Sequence, residues 1–339
     1  MAVSGTAYDP KGFSFLVAEQ DDYGTINPNS GGSPDNSYIA LDVDSIGSPN
    51  LAINQTLDVR SGSRVLQATD FFQDKLASVK EISVSGTATT EGLDLLLSNL
   101  TGTASAPFSI ASNVATSSLS TGTTNQTGQQ LLSIVMKSAY GTTADIAFKD
   151  CFCTSLQLSG DAGTEGGRIK FSATFKSGSA VDPAFATTSI DTAITANNYY
   201  MSAWDADDRI ICGVANAVVS SFSLDITNDV VFSGVASTGY EVATRSGEVS
   251  STATFSIVYD NNFKGLFNTF DDQTTGASQG ATLMATDATP SDGEFEFKMA
   301  NSVLTDVSFN EGSVMMLDVS VKALGAGIGS GTALIEVSC

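Results

Sequence analysis

Ile82-Ser83-Val84-Ser85-Gly86-Thr87-Ala88, with Glu91-Gly92-Leu93-Asp94-Leu95-Leu96-Leu97-Ser98-Asn99-Leu100 behind it, is matched 170 residues later by Thr252-Ala253-Thr254-Phe255-Ser256-Ile257-Val258 and Asn261-Asn262-Phe263-Lys264-Gly265-Leu266-Phe267-Asn268-Thr269-Phe270. In both places apolar or small residues alternate with Ser or Thr, as on a strand with one wet face, and then fall three and four apart, as on a short helix. Downstream, Asp145 to Lys149, Leu156 to Leu158 and Ile169 to Lys176 are matched by Glu294 to Lys298, Val303 to Phe309 and Val314 to Lys322, at an offset of 149. The change of offset fits an insertion in the first copy. The Ser/Thr/Gly-rich stretch 101–130 is where it would sit.

Composition agrees with two β-rich units. Only 15% of the residues are charged and Gly numbers 31, while Val, Ile, Phe and Thr are spread through short alternating runs. The expected fold is all-β with short flanking helices, as two similar β-sandwich or partial-barrel domains in tandem. The 339 residues divide into 1–178, with an N-terminal arm and the 101–130 loop, and 179–339, with a Gly-rich tether and a last strand. The boundary lies at Ser177 to Pro183, since proline cannot continue a central ladder. The tether is Gly325 to Gly331, and the strand Thr332 to Val337 either folds back or adds to a neighbour's sheet edge.

The formal net charge of −22, from 15 basic and 37 acidic residues, repels phosphates and anionic membranes over a Debye length of roughly 8–10 Å. Binding of nucleic acid by phosphate neutralisation is therefore disfavoured. No basic-then-apolar leader opens the sequence and no apolar run approaches the ~20 residues of a membrane span, so a soluble chain is expected. Cys151, Cys153, Cys212 and Cys339 are too few and too irregular for a disulfide framework, and are expected as free thiols.

There is no histidine, which removes His-dependent triads, His-ligated zinc and histidine bases. Carboxylate pairs at Asp21-Asp22, Asp205-Ala206-Asp207-Asp208 and Asp271-Asp272 have the composition glycoside hydrolysis needs, but read more simply as solvated turns of an acidic protein. Asp42-Val43-Asp44-Ser45-Ile46-Gly47 opens like a calcium loop without the closing Glu, which would fall near Ile53. Cys151-Phe152-Cys153 puts two sulfurs on one strand face with no second pair to complete a metal site. The glycines of the tether lack the Lys of a phosphate loop. No catalysis, cofactor or metal is expected.

Three stretches in order carry a family resemblance: Leu16 to Thr25, a short strand, a Glu and an aromatic-Gly-Thr turn; Phe222 to Asn228 with Arg245 and the strand and helix to Phe270; and Leu156 to Gly167 followed by Ile169 to Lys176. Together they resemble the tail tube (major tail) proteins of long-tailed, siphovirus-type bacteriophages, in a duplicated-domain form. The resemblance implies sheets joined side by side into rings that stack into a hollow tube for DNA. Three chains would then supply six similar units. The implied partners are other copies of the chain, tail terminator and tail tip or baseplate proteins, and a tape measure protein inside the tube. The implied place is the virion tail, assembled in the host cytoplasm.

On the strand Glu294 to Lys298, alternation turns Phe295 and Phe297 to the core and leaves Glu294 and Glu296 as candidates to line an acidic bore. Phe13, Phe15, Glu19 and Tyr23 are the candidates for an assembly arm, since protruding segments without a core of their own gain order from a partner. The alternative is a surface adhesin or carbohydrate-binding pair of β domains, against which stand the absent leader and the single tryptophan, Trp204.

Overall fold

A computed structural model describes residues 12–20, 23–24, 26, 38–47, 50–51, 54–57, 71–74, 79–103, 108–111, 118–120, 131–139, 145–181, 198–201, 209–234, 239–246, 248–266, 281–286, 294–299, 301–312, 314–325 and 333–339. The protein is all-β. The first half carries β1 (Phe13–Gln20), β2 (Ile39–Ala40), β3 (Val43–Ile46), β4 (Asn50–Leu51), β5 (Asn54–Leu57), β6 (Phe71–Asp74), β7 (Lys80–Thr87), α1 (Thr90–Thr101), β8 (Phe108–Ala111), β9 (Ser118–Ser120), β10 (Leu131–Ser138), β11 (Ile146–Asp161) and β12 (Lys170–Ser177). The second carries β13 (Val219–Thr227), β14 (Val230–Ser233), β15 (Val242–Arg245), β16 (Ser250–Val258), β17 (Ala281–Thr286), β18 (Glu294–Met299), β19 (Ser302–Glu311), β20 (Met315–Ala323) and β21 (Ala333–Ser338). No helix among the described residues is long and apolar enough to cross a membrane.

One long antiparallel sheet organises the molecule, in the order β3/β4, β7, β12, β11, β13, β16, β20, β19. Its first four positions recur as its second four. Val84 faces Ala173 in the first set, as Phe255 faces Val319 in the second. Phe171 likewise faces Leu158, and Leu317 faces Phe309. Even the irregularities recur. Thr154 is the extra residue of a bulge in β11 against β12, and Thr305 is its counterpart in β19 against β20. Asp44 is bulged in β3 against β7, as Ser220 is in β13 against β16. Bulges re-aim the side chains beyond them, so two in matching places fix the correspondence residue by residue.

That correspondence corrects the offsets read from the sequence. β7 maps onto β16 at 171 rather than 170, because Ile82 and Val84 point inward like Ala253 and Phe255, whereas Thr252 and Thr254 point outward. A slip of one residue exchanges the faces of a strand. β12 maps onto β20 at 146 and β11 onto β19 at 151. The two differ because the turn from Asp161 to Lys170, with its 3-10 turn at Glu165–Gly167, is longer than the turn from Glu311 to Met315.

The inward face packs on a second layer. Over the first copy lies α1, which buries Leu93, Leu96, Leu97 and Leu100 and closes at Gly102, whose φ of 76° only glycine adopts without strain. Beside it a branch of β10, β1 and β2 leaves the first third of β11. Over the second copy lies a four-stranded sheet in the order β17, β18, β21, β8. Its Phe297 stacks on Phe255 with ring centroids 6.1 Å apart, and Phe295 meets Tyr199 at 5.6 Å. The repeated helix is only partly recovered, since a 3-10 turn at Phe263–Gly265 stands where α1 would recur and residues 267–280 lie outside those described.

The halves are interlocked. β11 pairs with β13, so one sheet runs through both. The 101–130 segment supplies β8 to β21 and β9 to β15, both in the second half. The strand after the tether folds back inside its own chain. At the boundary, Ser179 donates through Oγ to Asp150 and bridges to Gly239.

Candidate assembly surface

The outward face of the long sheet is a field of short polar side chains. Ser83, Ser172, Thr174, Ser155, Ser159, Ser223, Thr254, Ser256 and Ser320 follow from the strand alternation that buries their neighbours. Many of its charges are partnered. Gln157 Nε2 donates to Asp225 Oδ1 at 2.8 Å, Ser256 Oγ to Asp318 Oδ1 at 2.7 Å and Asn310 Nδ2 to Asp318 Oδ2 at 3.0 Å. Lys170 pairs with Asp44 and Glu165, Lys176 with Asp229 at 2.7 Å and Lys322 with Glu248 at 3.2 Å. Lys176 and Lys322 occupy equivalent positions of the two copies. A shallow concavity of about 340 Å³ lies on this face between Ser221, Thr254 and Ser320.

Among the described residues the long run of strands ends in two edges, and the branch through β10 and β1 ends at β2. Among the described residues β19 pairs only with β20, and β3 and β4 only with β7. Beside the β19 edge Phe309, Val314 and Met315 are 46%, 55% and 46% exposed, with Phe309 edge-on to Tyr259 at 5.1 Å. At the same end of the first copy, the turn between β11 and β12 carries Asp161, Thr164 and Glu165 instead.

Phe295 and Phe297 are buried as expected. Glu296, on the opposite face of β18, pairs with Lys298 and sits on the second layer, away from the polar face of the long sheet; the side chain of Glu294 lies outside the described residues. Phe15 and Tyr23 are spent in their own chain's core, and Phe13 and Glu19 are half-buried on β1, which pairs with β10 along its length. Residues 13–20, 23 and 24 are therefore docked, not protruding. Asp21, Asp22, Asp205 to Asp208, Asp271 and Asp272 lie outside the described residues. Asp44 is engaged by Lys170, and no cluster of three metal-ligating side chains occurs among the described residues. Cys151, Cys153 and Cys212 are free and buried; burial pushes the Cys153 thiol up to about 12, with the Arg245 charge pulling the other way, and the Cys212 thiol up to about 12.

Two buried polar side chains fasten the halves. Asp150, at φ 54°, accepts from Gln20 Nε2, Gly24 N at 2.6 Å and Ser179 Oγ, so it pins the β1 end and the 178/179 link to the corner of β11. Arg245, on β15, donates through Nη1 to Cys153 O at 2.9 Å and Asn228 O at 2.6 Å, and through Nη2 to Asn99 O. Its guanidinium lies 5.5 Å over the Phe152 ring. Asn228 Nδ2 donates to Leu100 O at 2.8 Å, so two second-half side chains satisfy carbonyls at the C-terminus of α1. Burial pushes Arg245 down to about 10, which leaves it charged at neutral pH. Arg245 belongs to the second stretch that carries the resemblance, whereas a lone Asp before Cys151 is the whole sequence signal for Asp150.

No family model matches the chain, and no curated protein matches it.

Proposed function

We propose that this chain is a structural subunit of a tail tube of the phage type, acting by assembly without turnover or cofactor. The observation that carries the reading is the head-to-tail repetition of one four-strand unit inside a single sheet. A repeat joined last strand to first leaves the same two edges at its ends, and such a unit satisfies both only by closing a ring or continuing as a filament. Three chains would place about twenty-four strands around a closed sheet, some 115 Å in circumference and about 37 Å across between strand axes before tilt.

In this reading the bore is lined by the Ser/Thr face and not by Glu296. Its lysines are held by carboxylates, so no exposed row of cations waits for phosphates, and the net charge of −22 lets a duplex slide. Negative-stain electron microscopy of concentrated protein tests this. Rings with a central hole and six lobes built from three chains are expected. Isolated monomers, persisting after salt screens the mutual repulsion, would refute it.

A further inference from the structure

We infer that the β19 edge of one chain receives the β3–β4 edge of a second copy, in the register with which β13 already lies on β11. The inference rests on the ring-building reading and specifies the joint that reading needs.

The internal joint shows what a completed edge looks like. Leu158 on β11 and Ile169 at the start of the next strand are both 0% exposed. They are covered by β13 and by the stretch before it: Ile169 N donates to Tyr199 O at 2.9 Å, and Met201 and Phe222 crowd Gly160 so closely that a Cβ there would meet both at 2.8 Å. The equivalents in the second copy are Phe309 and Met315. They are the same kind of side chain in the same register, each 46% exposed. The apolar residues at the open edge thus occupy positions that the first copy fills and covers.

The opposite edge complements this. With β13 mapped onto β3 at 176, Val219 and Phe222, buried in the joint, correspond to Val43 and Ile46, which are only half-buried. The coincidence of the bulges at Asp44 and Ser220 means both strands present their faces to a neighbour in the same phase. Each open edge is one side of a joint the chain has already made once. That favours a second copy over a foreign strand, which would have no reason to match the phase. A strand that, among the described residues, pairs on one side alone and stands beside exposed apolar side chains is otherwise an aggregation site.

Transferring the register gives named pairs. Gln157 opposite Asp225 becomes Ser308 opposite Asn50 of the second copy, Asn50 being the partner of Glu81 as Asp225 is of Thr252. Gly160 opposite Phe222 becomes Glu311 opposite Ile46, and Asp161 opposite Ser221 becomes Gly312 opposite Ser45. The contact is head to tail, with different residues on its two sides.

The test is cysteine crosslinking of the full chain. Under mild oxidation Ser308→Cys combined with Asn50→Cys should give covalent multimers at least tenfold more abundant than Asn310→Cys combined with Asn50→Cys, or than the parent protein with its own four cysteines. Phe309→Asp should leave a folded monomer, judged by its thermal transition, and lower the assembled fraction at least tenfold. Rings that form yet crosslink only in another register, or that persist with Phe309→Asp, would overturn this joint and leave the tube reading standing. In-register multimers without rings would uphold the joint and overturn the tube. Capture of only a foreign protein by the β19 edge would overturn the joint.

Discussion

Both copies follow one path with bulges at the same places, yet they turn the corner into their last strand differently. In the first, β11 runs unbroken through 16 residues and bends at Asp150, held at a positive φ by three donors. In the second, the chain is divided between β18 and β19, and β18 pairs with β17 and β21 in the covering sheet. A strand that bends without breaking needs a strained residue and a buried polar hub to hold it. One that breaks needs neither, and its segments become separately available. The first copy uses its corner to lock the halves together, whereas in the second, among the described residues, β19 pairs on one side alone.

The harshest challenge to this comparison is deletion of one paired residue from each last strand. Removing Gln157 should abolish soluble folded protein, because β11 carries ladders on both sides and every side chain beyond the deletion would change face. Removing the equivalent Ser308 should cost only about 2–4 kcal/mol, since among the described residues β19 has one ladder to lose. Equal damage by both, scored by circular dichroism and yield, would deny that the second copy's last strand is less constrained.

Arg245→Met keeps the bulk but strands the carbonyls of Cys153, Asn228 and Asn99, and should cost about 3–5 kcal/mol in urea unfolding. A loss below 1 kcal/mol would mean that this link between halves is dispensable. Asp150→Asn sets an amide N–H₂ against donors and should cost about 1–3 kcal/mol, visible first as faster amide exchange at Gly24, whose N–H donates to Asp150.

The mildest test uses pH. The Cys153 and Cys212 thiols are raised to about 12 when folded, while an unfolded thiol ionises near 8.5. The unfolded chain therefore releases protons first. Stability should be flat below about pH 8.5 and fall from there toward 12, by about 1–2 kcal/mol per thiol at pH 10. Cys153→Ala should make the alkaline limb shallower by one thiol's share; an unchanged limb would place the titration elsewhere.

Much of the β architecture was legible because Ser/Thr alternation with Val, Ile and Phe survives in nearly every long strand. Its phase was not. Gly86 and Ala253 point inward while carrying too little side chain to say so, and the one-residue bulges at Asp44, Thr154, Ser220 and Thr305 have no residue signature. The 101–130 segment was visible as an insertion, but Phe108–Ala111 is too short to announce that its partner is β21. The buried residues 15 and 23 looked like a free arm because nothing local reveals that β10 and Asp150 hold them. Long-range pairing is the part of a β fold that local composition leaves open.

The pairing of β8 with β21 also sets a clock. Ile110 meets Ile335 across 225 residues of chain, so on a ribosome β8 waits until nearly all of the second half has emerged. High contact order makes that closure slow. Until it happens the sheet that lays Phe297 over Phe255 is incomplete, and the apolar surface it will cover stays open to aggregation.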